Sequence, residues 1–185
     1  MDTMKNIIFG AMLFATVAIF AQDKLITRTG TIQFISADAA FDNVKAQNND
    51  VTCVLNSKTG EIAALALVKQ FKFKIALMEE HFNETYVESD TYPKSVFKGI
   101  IENFDVKQLS ATVKDFVLNG TLELHGKVVP IKTKLQIKKL GSEIQISSQF
   151  TIISTDFNIK IPSVGKKNIT NGIDTSVKFV LSASK

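Results

Sequence analysis

Ile131-Lys132-Thr133-Lys134-Leu135-Gln136-Ile137-Lys138 alternates without a break. Successive side chains of a strand point to opposite faces, so Ile131, Thr133, Leu135 and Ile137 share one face and the lysines take the other. Past a turn at Leu140-Gly141-Ser142, the pattern resumes in Glu143-Ile144-Gln145-Ile146-Ser147-Ser148-Gln149-Phe150-Thr151-Ile152. Further on, Val177, Phe179 and Leu181 oppose Lys178 and Ser182. Upstream, Gln70-Phe71-Lys72-Phe73-Lys74-Ile75 has the same period. Extended runs are also predicted over 25–35, 51–56, 60–68, 97–104 and 112–126. Asn56-Ser57-Lys58-Thr59-Gly60 reads as a hairpin loop, and Gly126-Lys127 as a second strand junction. Helix is scarce: 37–46 fits a short one capped by Ser36 or Asp38, and 77–89 another with early glutamates. Residues 156–175, with Pro162, Gly165 and Gly172, read mostly as loop. Eight to ten such strands with one apolar face make an all-β, antiparallel sandwich or barrel.

The first 21 residues read as a cleaved signal peptide. Residues 7–20 are an apolar run too short to span a bilayer, and Ala21 is a small residue suited to cleavage. Met4 offers an alternative start that would remove Asp2 from the leader. Gln22, not Cys, follows the cut, so a lipoprotein anchor has no acceptor there. The expected mature domain, 22–185, has 164 residues, enough for one full core. Its net charge of +4 is spread along strands, and Arg28 is its only arginine. Base-edge readout relies on arginine forks, so nucleic-acid binding is not expected. Cys53 is the only cysteine, which rules out an internal disulfide. With Thr52 and Val54 beside it, Cys53 reads as a small half-buried strand residue rather than a reactive thiol.

Between 78 and 99 runs MEEHFNETYVESDTYPKSVFKG. It opens on Glu80-His81-Phe82, crosses an acidic connector with Tyr86, and closes on Tyr92-Pro93 before a strand through Phe97. This layout resembles the YceI-like family. Gly120-Thr-Leu-Glu-Leu-His125-Gly126 with Val128-Val129-Pro130 is similar to that family's central hairpin. Asp156-Phe157-Asn158-Ile159, followed by Gly172-Ile173-Asp174 and a last strand, is similar to its closing segment. The first strand departs: family members often carry a histidine near its end, and Thr31-Ile32-Gln33-Phe34 has none. The resemblance implies an exported, lipocalin-like antiparallel β-barrel of about eight strands with one or two short helices. It also implies a polyisoprenoid ligand, such as a polyprenyl quinone or phosphate, and a periplasmic or secreted location. Transient membrane contact and a dimer are compatible with that role.

Catalysis is not expected. His81 and His125 are the only histidines, too few for a three-histidine zinc site, and neither metal nor cofactor is expected. No Gly-x-Ser-x-Gly elbow or glycine-rich phosphate loop occurs. Glu79-Glu80 and Glu88/Asp90 read as a solvated connector. What remains is phenylalanine. Three of the 14 (Phe9, Phe14, Phe20) lie in the leader, which leaves 11 for the domain. Phenylalanine has no hydrogen-bonding handle, so an interior lined with it suits an oily ligand. The expected lining is Phe34, Phe71, Phe73, Phe97, Ile101, Leu122, Leu124, Leu135, Ile146, Phe150 and Phe179. His81, Phe82, Tyr86 and Tyr92 are expected at the mouth or on a lid. The alternative is a filled core in a non-catalytic structural or stress-related interaction protein.

Overall fold

A computed structural model describes residues 23–36, 44–160 and 172–183. Nine strands lie among the described residues: β1 (Lys24–Ser36), β2 (Lys45–Asn56), β3 (Glu61–Leu67), β4 (Lys72–Phe73), β5 (Lys94–Ile101), β6 (Lys114–Leu124), β7 (Lys127–Leu140), β8 (Glu143–Ile153) and β9 (Gly172–Ala183). All pairings are antiparallel. The order β1-β9-β8-β7-β6-β5-β3-β2 closes because β1 also pairs β2, with Ile32 opposite Val177 on one side and Asn48 on the other. The result is a closed eight-stranded barrel, with the two-residue β4 added beside β2. Closure leaves no long sheet edge, which answers the edge problem without a disulfide.

The alternation in β7 and β8 translates directly into structure. Leu135, Ile137, Ile144 and Ile146 are buried, while Lys132, Lys134 and Gln136 are exposed. Turns follow local chemistry. Asn56 Oδ1 accepts the backbone N–H of Lys58 and of Thr59 and shapes the β2–β3 loop. The β6–β7 connection is a two-residue hairpin, His125-Gly126, with φ of 49° and 70°. Positive φ at both positions matches the right-handed twist of the flanking strands.

Four expectations about secondary structure need correction. Residues 37–43 of the first helix candidate lie outside the described residues, and Lys45 and Ala46 belong to β2. Ala46 is buried opposite Phe34 and Phe73, so tertiary pairing outweighs its helix propensity. The 70–75 alternation produces only β4, because the chain turns at Ile75 into α1 (Ala76–His81). The second helix candidate becomes α1 plus a π-helical turn, Phe82–Tyr86, closed by Val87 N–H on the Phe82 carbonyl. Lastly, Gly172 to Thr175 are strand, not loop.

The barrel has two unlike ends. At one, the β5–β6 connection folds across the opening, with Leu109 buried and Phe104 and Val106 packed on the core. Cys53, Leu55, Ile101, Phe116, Ile137, Ile144 and Leu181 fill the space behind it. Cys53 is wholly rather than half buried. Its strand faces it inward with Val51 and Leu55, a consequence of period two that the polar neighbours Thr52 and Asn56 disguise.

Candidate functional site

The other end is hollow. A cavity of about 280 Å³ runs down the barrel, lined almost wholly by apolar side chains. Along β8 the lining includes Ile146, Ser148, Phe150, Ile152 and then Ser154. At about 3.3 Å per residue that span covers roughly 26 Å of chain. The shape therefore suits an extended molecule.

Small residues on one wall make the room. Ala64 and Ala66 of β3 face inward, with Phe97 and Ser95 of β5 as their partners. Next along, Gly99 of β5 lies opposite Gly120 of β6. The Phe97 ring lies over both glycines: a Cβ at Gly120 would fall 2.5 Å from its Cζ, and one at Gly99 2.9 Å. With no side chain beneath it, the ring lies back against the wall.

Aromatic rings crowd the rim beside β1, β2 and β4. Phe34 lies 5.3 Å from Phe71, 5.9 Å from Phe73 and 5.5 Å from Phe82, between ring centroids. Phe73 and Phe82 are 5.0 Å apart. Such tilted and edge-to-face contacts favour aromatic pairs beyond the area they bury. Glu79 fastens α1 to this rim: its carboxylate accepts from Lys72 Nζ at 2.6 Å and from the Phe73 N–H at 3.2 Å. The Lys72 hydrogen bond holds the Glu79 carboxyl below its ordinary 4.5.

A second apolar group, Val68, Val87, Leu122, Phe157 and Ile159, packs the far side of the mouth. His125 clasps three segments there. Its Nδ1 lies 2.9 Å from the Phe157 carbonyl oxygen and its Nε2 2.9 Å from Glu88 Oε2. Both partners only accept, so both bonds form when both ring nitrogens carry protons. Tyr92 stands edge-on to the His125 ring at 4.6 Å and covers Gly126, where a Cβ would meet it at 2.7 Å.

Of the expected interior residues, Phe34, Phe71, Phe73, Phe97, Leu122, Leu124, Leu135, Ile146, Phe150 and Phe179 line the cavity. Ile101 does not. It is two inward positions beyond Phe97 and sits in the packed end. His81, Phe82 and Tyr86 border the cavity, but Tyr92 faces the β6–β7 turn instead. Ala64 and Ala66, small residues that line the lumen, were not among the expected positions. Nor were Ile131, Thr133 and Ser148, which the period-two pattern would have found. Ser154 continues the same parity one step past the end of β8.

Among the described residues, no group of three or more His, Cys, Asp and Glu side chains is placed to hold a metal. Burial pushes the Cys53 thiol up to about 12, far from a usable nucleophile. A closed antiparallel barrel with a packed base and an apolar, open upper half has the shape of a container, with room for a small hydrophobic molecule.

Comparison with known proteins gives the container a family. Residues 17–184 match the YceI-like domain, and the chain belongs to that family. The fold is similar to that of a polyisoprenoid binding domain from Saccharophagus degradans implicated in plant cell wall breakdown. That match has a TM-score of 0.73 at 14% identity and covers 88% of this chain and 99% of the other. Burkholderia cenocepacia BcnA is similar with a TM-score of 0.67 at 12% identity, covering 83% and 96%. The Campylobacter jejuni YCEI protein is similar with a TM-score of 0.62 at 16% identity, covering 78% and 87%. At these identities the likeness is one of fold. No curated protein matches the chain.

Proposed function

We propose that this protein is an exported carrier that shelters a polyisoprenoid in the hollow half of its barrel. The observation that carries the reading is the elongated apolar cavity, open at one end and bordered by the Phe34–Phe71–Phe73–Phe82 cluster. Membership of the YceI-like family and the fold shared with a polyisoprenoid binding domain support it. Each Å² of apolar surface moved from water into such a lumen contributes roughly 25 cal/mol, so tail burial alone can hold the cargo. The role is binding rather than catalysis. The leader read at 1–21 supports export to the periplasm or beyond. Ile75 and Leu77, each 57% exposed beside the mouth, support transient contact with a membrane during loading.

Phe97 gives the test. Protein made in an exporting bacterial host is extracted with organic solvent, and the extract is analysed by mass spectrometry. Wild type should yield an isoprenoid lipid and Phe97→Leu most of it. Phe97→Asp should fold and yield none, because a carboxylate in the lumen repels an apolar tail. A clean extract from wild type, or a folded Phe97→Asp that still carries lipid, would overturn the reading.

A further inference from the structure

Ser154 is 3% exposed, lines the cavity, and its hydroxyl has no hydrogen-bond partner among the described residues. The buried hydroxyls deeper in the wall are engaged. Ser148 donates to the Lys134 carbonyl at 2.7 Å and meets the Thr133 hydroxyl at 3.2 Å. Thr175 donates to the Ile173 carbonyl at 3.3 Å. Ser154 is also fixed in place. It opens the 3₁₀ turn Ser154–Phe157, and its carbonyl accepts the Ile159 N–H at 3.1 Å. A buried hydroxyl left unmet is a standing cost to the fold. A polar atom on the cargo removes that cost.

We infer that Ser154 anchors the head of the bound lipid by hydrogen-bonding an uncharged oxygen, an alcohol or a carbonyl, at one terminus of the apolar chain. The inference rests on the lipid-carrier reading and supplies the head-group chemistry which that reading leaves open. The position fits a terminus: Ser154 stands just past β8 at the mouth, and the tail runs from it past Phe150 to Ile146. The surroundings favour a neutral group. Ser154 sits in the segment that carries Phe157 and Ile159, which pack on Val68, Val87 and Leu122. A phosphate there would give up its hydration for a single hydroxyl, whereas a neutral oxygen is satisfied by one donor.

Delipidated full-length protein is titrated with three tritiated probes: geranylgeraniol, geranylgeranyl phosphate and squalene. Wild type should bind the alcohol more tightly than either the phosphate or the headless hydrocarbon. Ser154→Ala should weaken the alcohol about three- to tenfold, the range for one neutral hydrogen bond, and leave squalene within about twofold. The unliganded Ser154→Ala protein should melt no lower than wild type, since the variant removes an unsatisfied group. A lower melting temperature would show that the hydroxyl already has a partner and would overturn the assignment. Equal loss for alcohol and squalene, no loss for either, or a wild-type preference for the phosphate would also overturn it. Wild type that binds none of the three would instead bring down the lipid-carrier reading itself.

Discussion

Two isoleucines of β7 share a face and differ in fate. Ile137 is fully buried in the packed end, closed over by the β5–β6 connection. Ile131, on the same face near the other end of the strand, is half-buried and borders empty space. Side-chain chemistry is identical, so the neighbours make the difference. Ile137 has close-packed partners on every side, whereas Ile131 looks across a lumen opened by Ala64, Ala66, Gly99 and Gly120. One strand thus serves stability at one end and capacity at the other.

Trimming both isoleucines should separate the two roles. Ile137→Ala should cost about 2–5 kcal/mol in denaturant unfolding, because it removes buried methyl groups and leaves a new void. Ile131→Ala should cost about 1 kcal/mol, since no sealed void results. Equal losses at the two positions would mean that the upper half is as tightly filled as the lower.

Gly120→Ala attacks the wall that keeps the lumen open. Its Cβ would fall 2.4 Å from the Lys98 carbonyl oxygen and 2.5 Å from Phe97 Cζ. Overpacking of this kind costs about 1–3 kcal/mol. The displaced Phe97 ring should also cut the amount of lipid recovered per mole of protein. Stability falling with lipid recovery unchanged would show that the ring moves outward instead.

The clasp at the mouth is a smaller lever. His125→Asn suits the left-handed backbone at φ 49° but loses the imidazole bonds. It should cost about 1 kcal/mol. Amide exchange should quicken at Tyr92 and Ile159 and stay unchanged at Ile137, which keeps the effect within the hollow end. The smallest effect belongs to the rim. Lys72→Gln should lower stability near neutral pH by roughly 0.2–1 kcal/mol, as exposed ion pairs do. Because Lys72 lowers the folded Glu79 carboxyl, that contribution is present above 4.5 and lost as pH falls through the lowered value. Urea midpoints taken between pH 3 and 7 should show this acid-side slope in wild type and a shallower one in Lys72→Gln.

The strands of this barrel were legible because period two survives in the sequence. The 131–138 and 143–152 alternations mark β7 and β8, and Val177, Phe179 and Leu181 mark β9. Pairing partners were not legible, so the reach of β2 back to Lys45 went unread. The hollow was not legible either. An inward Phe97 looks the same in sequence whether it fills a core or leans on a wall. What decides is the pair of glycines across the β5–β6 ladder, and only register brings Gly99 opposite Gly120. Ile101 carries the same lesson, since the inward pattern assigns it a face but not an end of the barrel. Tyr92 was drawn away by a glycine that has no side chain to compete with it.

Closure of the barrel through β1 and β9 has a consequence for folding. Ile32 meets Val177 across a loop of nearly the whole domain. Contacts so distant in sequence form late and slowly, since the chain loses loop entropy before the contact can reward it. As synthesis proceeds from the N-terminus, β1 can pair with β2 early, but its second partner, β9, is the most C-terminal of the described strands. Until β9 arrives, β1 and β8 each present an unpaired edge, the arrangement that invites association between chains. The lumen has no complete wall before that moment. The cavity is therefore complete only once β9 is in place between β1 and β8.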